Sequence, residues 1–173
     1  MATRDYITLR FIQPQNQASA FEQKSRMPID IEMQKERFDS FRKERMPVLH
    51  DFSEKLGFKN AHEILINPAA FLEPISSWLS EQDISEDAKN WIIVRIGYFI
   101  GELFIEKHGG CWSVCEAPSS RFYGHYVIGG FSSFNNLNAL LAPMEAAFEL
   151  ANQPKGRSLS AIVNEIEVGL SGL

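Results

Sequence analysis

Residues Trp91 to Ile105 constrain this chain more than any other stretch. Trp91, Ile92, Ile93, Val94, Ile96, Tyr98, Phe99, Ile100, Leu103, Phe104 and Ile105 cover almost every direction around a helix axis. A helix that is apolar nearly all round must be buried on most sides. Ser85 is a good N-cap, and Glu86 and Asp87 stand where the helix dipole favours anions. Lys107 and His108 occupy the last turn and Gly109-Gly110 follow as a stop. Arg95 and Glu102 interrupt the apolar run, which falls short of the ~20 residues that span a bilayer. The segment 85–108 therefore predicts a long helix inside a soluble domain, with no membrane partner.

Other elements follow from periodicity. Ile7, Leu9 and Phe11 alternate with polar residues over 5–12, which predicts a short strand, and the polar run Gln13 to Gln17 predicts a linker. Helical character starts near Pro28 or Asp30, with Ile31, Phe38 and Phe41 on one face. Pro47 cannot donate a backbone hydrogen bond and is expected to kink that helix or begin the next, which Gly57 ends. A further helix is expected from Pro68 or Pro74 through Leu79. Cys111 to Glu116 and Phe122 to Ile128 predict two strands joined at Ala117 to Ser120, with Phe122, Gly124, Tyr126 and Ile128 on one face and Tyr123, His125 and Val127 on the other. Gly129-Gly130 breaks the second strand, and Phe131 to Asn138 is a Ser/Asn-rich loop or a third short strand. Pro143 opens a helix through Leu150, and a last helix carries Leu159, Ile162, Val163, Ile166 and Leu170 behind the cap Ser158. The fold class is α+β: N-terminal helices, one long buried central helix, a short antiparallel hairpin or small sheet, and two C-terminal helices.

A chain of 173 residues favours one domain. The expected division is a strand and linker in 1–20 and a single α+β domain in 21–173. With 17 basic and 22 acidic residues the net charge is −5, which argues against a general nucleic-acid binder, since that needs a basic face. Two cysteines are too few for a secreted disulfide scaffold. Met1 to Tyr6 lacks the apolar core of a signal peptide, so cytoplasm is the expected compartment.

No catalytic, metal or nucleotide motif stands out. His108, Cys111, Cys115 and His125 form a metal-like group. However, four residues of strand place the two cysteines about 13 Å apart, so both are expected as buried structural thiols without metal. His62-Glu63 lacks the second histidine of a metalloprotease helix, Ile66 standing there instead. Glu102 and Glu106 are one turn apart, with Arg95 projecting near Glu102. Paired carboxylates can divide acid and base roles, and a polar strip or salt bridge is the plainer expectation. Gly97 and Gly101 each cost about 1 kcal/mol inside a helix, so close approach of the hairpin or another helix is expected there, with a ligand-facing groove as the alternative. The charges from Lys35 to Arg45 alternate in sign and predict a solvated helix face. Trp112, Phe122, Tyr123, Tyr126, Phe131 and Phe134 are expected mostly in the core.

The run Gly97-Tyr98-Phe99-Ile100-Gly101-Glu102, followed by Gly109-Gly110-Cys111-Trp112, resembles a pattern of small bacterial domains that are similar to immunity proteins of polymorphic toxin systems. The resemblance covers Asn90 to Ile166 and brings no active-site residues. It implies a binding module whose partner is a cognate protein toxin, with no cofactor. The expected contacts are Glu102, Glu116, Tyr123 and His125, since acidic and aromatic groups suit a basic partner. The alternatives are an enzyme with a site near Glu102, His108 and His125, or a homo-oligomeric scaffold.

Overall fold

The computed structural model of the chain describes residues 12–14, 29–136 and 138–172. The predicted strand over 5–12 lies outside the described residues apart from Ile12. Strand β1 is Ile12–Pro14, so Gln13 and Pro14 belong to a strand rather than to the expected linker. Helix α1, Ile31–Lys55, starts where Asp30 accepts hydrogen bonds from the Glu32 and Met33 backbone N–H groups, both at 3.1 Å. It runs unbroken through Pro47. The missing proline N–H deprives the Lys43 carbonyl of a helical partner, but Lys43 and Pro47 are both exposed, so the loss falls on the solvent side of the helix. Buried Phe41, Leu49 and Phe52 hold the helix from its other side. Gly57, at φ +81°, then turns the chain.

Two 3-10 turns, Ala61–Leu65 and Pro68–Phe71, lead into helix α2, Leu72–Glu81. Of the two candidate starts, Pro68 opens the second turn and Pro74 sits in the first turn of α2 itself. Helix α3 is Glu86–His108, capped by the Ser85 hydroxyl on the Ala88 N–H. It is buried from Ile96 to Phe104 except at Glu102, as the all-round apolar pattern predicts.

Strands β2 (Cys111–Val114), β3 (Tyr126–Gly129) and β4 (Ala139–Leu141) complete an antiparallel sheet in the order β1-β4-β3-β2. Trp112 pairs with Ile128 and Cys111 with Gly129. The expected hairpin is present, but its strands are shorter than predicted. Gly124 adopts φ +75° and ends the pairing, leaving residues 115–125 as a loop. The strand break falls at Gly130, not Gly129. Strand β4 has three residues, too few to display an alternation, and follows the predicted loop. Ile128 faces the main core and Val127 a smaller apolar cluster with Cys115, Phe122, Leu140 and Ala142, so the predicted alternation holds within β3, whereas Phe122, expected on the Ile128 face, packs with Val127 because the chain turns at Gly124 before the strand begins.

Helix α4, Pro143–Asn152, packs along α3, and helix α5, Leu159–Ser171, closes the domain against α2. Arg157, 6% exposed, ties these ends together. Its guanidinium donates to the carbonyls of Leu79, Gln82 and Gln153, at the C-terminal ends of α2 and α4, where helix dipoles favour a cation. No helix among the described residues is long and apolar enough to cross a membrane.

Candidate functional site

Glu102 is the carboxylate the sequence marks most strongly, and the fold uses it internally. One oxygen, Oε1, accepts from Arg45 Nε at 2.6 Å and from Trp112 Nε1 at 2.9 Å. The Glu102 and Arg45 side chains are only 12% and 21% exposed. Glu102 is therefore not the free contact residue expected. Nor are Glu106 and Arg95 its partners. Glu106 is exposed, and Arg95 lies 4.1 Å over the Trp91 ring while donating to the Trp91 carbonyl. Arg45, expected on a solvated face, is the counter-ion instead.

The neighbouring glycines explain the pattern around Glu102. A Cβ at Gly101 would overlap the Trp112 indole, and one at Gly97 would overlap the Met144 side chain of α4. Gly109 and Gly110 both have positive φ, and a Cβ at Gly110 would come within 2.7 Å of the Gly129 carbonyl. The motif thus seats one indole on a helix, satisfies its N–H with the next residue, and turns the chain into β2. It encodes how α3 docks on the sheet.

Glu116, Tyr123 and His125 share the loop 115–125. Cys115 and His125 close its base through the Cys115 N–H to the His125 carbonyl at 2.9 Å, and Gly124 donates to the Cys115 carbonyl at 2.8 Å. Glu116 is exposed and pairs with Lys35 of α1 at 2.8 Å. His125 Nδ1 and Arg121 Nη2 both reach Glu145 of α4, each at 3.0 Å. Burial pushes the Glu145 carboxyl up, but hydrogen bonds and charge from His125 and Arg121 outweigh it and hold the group below its ordinary value. Tyr123 is half-buried. Three of the four expected contact residues are thus gathered, in a loop strapped to α1 and α4.

His108 belongs to a third arrangement. Its ring lies between Phe104 and Phe134, at 5.5 and 4.5 Å between centroids, and Nε2 is 2.8 Å from Glu167 Oε1. Lys107 reaches the same oxygen. Burial raises the Glu167 carboxyl, and Lys107 and His108 more than reverse this. Among the described residues Glu102, His108 and His125 share no partner, and six residues of helix separate the first two by about 9 Å along the axis. The convergence an enzymatic site would require is not formed by these three.

Cys115 is buried as expected, whereas Cys111 is exposed, because it begins β2 at the sheet edge; both are free thiols. Among the described residues no group of three or more His, Cys, Asp or Glu side chains is placed to hold a metal ion.

A further feature emerges only when charge is read by position. From Asn60 to Ala88 there is no lysine or arginine, while Glu63, Glu73, Glu81, Asp83, Glu86 and Asp87 are all acidic and all exposed. Asp83 and Glu86 meet Lys155 and Lys89, and Glu63 and Glu73 accept from Asn60 and Ser160. Glu81 and Asp87 have no partner among the described residues. The signal was available in the sequence as a gap in basic residues, which a single sum of charges hides.

Compared with known proteins, the chain matches no family model, no curated protein and no solved structure.

Proposed function

We propose that this chain is a protein-binding module of the immunity type, which neutralises a cognate bacterial toxin by direct binding. The observation that carries the reading is the acidic run over 60–88, whose six carboxylates all reach solvent. Exposed charge of one sign raises the encounter rate with a partner of the opposite sign and disfavours wrong partners. The resemblance around Gly97 to Trp112 supports the same class, although its residues hold the fold together. The partner this surface fits is a basic protein, bound in the compartment where both are made.

The test is co-expression with the product of the adjacent gene, followed by affinity capture and a growth assay. A one-to-one complex that protects the host, with association slowing as salt rises, supports the reading. Neither capture nor protection removes it.

A further inference from the structure

An open recess of about 510 Å³ lies where the start of α3 meets the segment after α4. Its walls include Lys89, Lys155 and Arg157, with Asp83 as the one acidic side chain lining it. The lining therefore carries a net +2 in a chain of net charge −5. Ser85 and Asn152 add polar groups to the same wall.

Arg157 gives the recess its chemistry. The side chain is 6% exposed, yet no carboxylate pairs with it among the described residues. Guanidinium has five N–H donors. Four hydrogen bonds to backbone carbonyls use Nε, both hydrogens of Nη1 and one of Nη2, which leaves one Nη2 hydrogen. Carbonyl dipoles offset part of the charge but supply no anion. The lysines are held at the rim. Lys89 Nζ donates to Glu86 at 2.6 Å and Asn152 Oδ1 at 2.9 Å, and Lys155 reaches Asp83 at 3.5 Å. The Lys155–Asp83 pair is exposed on both sides and holds weakly enough for a ligand to replace it, while the Lys89 side chain is only 19% exposed and its partner Glu86 is open to solvent.

We infer that this recess is a binding site for a small oxyanion, a phosphate or a carboxylate group, held by Arg157 and the two lysines. A planar guanidinium with a flanking pair of ammonium groups suits such oxygens. The inference stands apart from the toxin-binding reading and does not depend on it.

The test is a titration of the full chain followed by NMR, reading the Arg157 Nε–H and the backbone amides of 83–89 and 152–157. Sodium phosphate forms one arm and N-acetyl-aspartate amide the other, with sodium chloride at matched ionic strength as control. Saturable shifts in either arm, at least tenfold weaker in K89Q/K155Q, support the site; the responding arm names the oxyanion. Lys155 is exposed on the rim, so K155Q alone keeps the amide fingerprint and should already weaken the shifts severalfold; Lys89, which also bonds Asn152, and Arg157 hold structural positions, and variants there are read only where the fingerprint is unchanged. Shifts that fail to saturate, that match chloride, or that persist unchanged in K155Q or K89Q/K155Q overturn it.

Discussion

The α3–β2 junction and the run 60–88 treat their carboxylates in opposite ways. At the junction Glu102 is enclosed, and Arg45 and Trp112 both spend a donor on it. In the run, Glu81 and Asp87 stand in water with no partner among the described residues. Burial makes the first expensive to disturb, because an unpaired buried charge or N–H costs far more than an exposed one. Exposure makes the second nearly free to change as far as folding is concerned. The Gly-Glu…Gly-Gly-x-Trp pattern of this chain is then a constraint of packing, while the surface that a partner would meet bears no motif.

The largest effect expected is at Trp112. Trp112→Ala removes a buried indole from beside Gly101 and Phe41 and leaves Glu102 with Arg45 alone. It should destabilise the domain by about 3–5 kcal/mol, read as a lower midpoint in urea with an unchanged slope. A change below about 1 kcal/mol would mean that the junction is not the rigid half of the contrast.

Glu102→Gln comes next. The amide can still accept from one donor but no longer neutralises Arg45. Both side chains retain some exposure, so the full penalty of a broken buried pair is discounted, to about 2 kcal/mol. A double-mutant cycle with Arg45→Met isolates the pair: coupling above about 0.5 kcal/mol is expected, since the two are in direct contact. No coupling would show that Trp112 alone sets the role of Glu102.

How much of this was legible beforehand depends on how local each signal is. Helix α3 was readable to the residue because Ser85, the apolar run and Gly109 lie within one stretch of chain. Its caps report on the backbone they adjoin. The partner of Glu102 was not readable, because Arg45 is 57 positions away in sequence and lay in a charge-alternating segment that resembles any solvated face. Pro47 shows the opposite limit: of its two expected outcomes a new helix is excluded, since α1 continues through it with Phe41, Leu49 and Phe52 buried on either side of the proline. Strand β4 was too short for a period. The loop 115–125 looked like strand because Phe122, Tyr126 and Ile128 alternate, while Gly124 breaks the ladder between them.

As pH falls the open carboxylates are protonated first and the clasped ones last, but it is the clasped ones whose protonation costs the fold stability. Glu145 and Glu167 both titrate below the ordinary glutamate value of 4.5 in the folded chain. A depressed folded value means that the unfolded chain binds the proton more readily. Their stabilising contribution is therefore complete above about pH 4.5 and is lost as pH falls below it. Glu145→Gln should lower stability at neutral pH and flatten the acid limb of the stability curve, measured by urea titrations from pH 6 to about pH 3. The variant and the parent should converge at the acid end. An unaltered acid limb would deny that His125 and Arg121 strap the loop to α4 through this group.

Glu81→Lys should be the mildest change of all in stability, within about 0.5 kcal/mol, because it replaces an exposed side chain at the C-terminal end of α2 that touches no partner among the described residues, and Asp87→Lys should cost about 1 kcal/mol, because it sets a cation in the first turn of α3. Their effect belongs to association. Each reversal removes one negative charge and adds a positive one on the face offered to a basic protein, so the association rate should fall while the dissociation rate changes little. The salt dependence of association should weaken in the same variants, and the double variant should show the sum, since separate exposed charges act almost independently. Glu102→Gln supplies the reciprocal control: it should disturb stability and leave association of the folded fraction unaltered. If instead the lysine variants bind at the parent rate while changes at Glu116 or Tyr123 abolish binding, the contacting surface is the 115–125 loop. The division between an inward-facing junction and an outward-facing acidic run would then hold for folding alone.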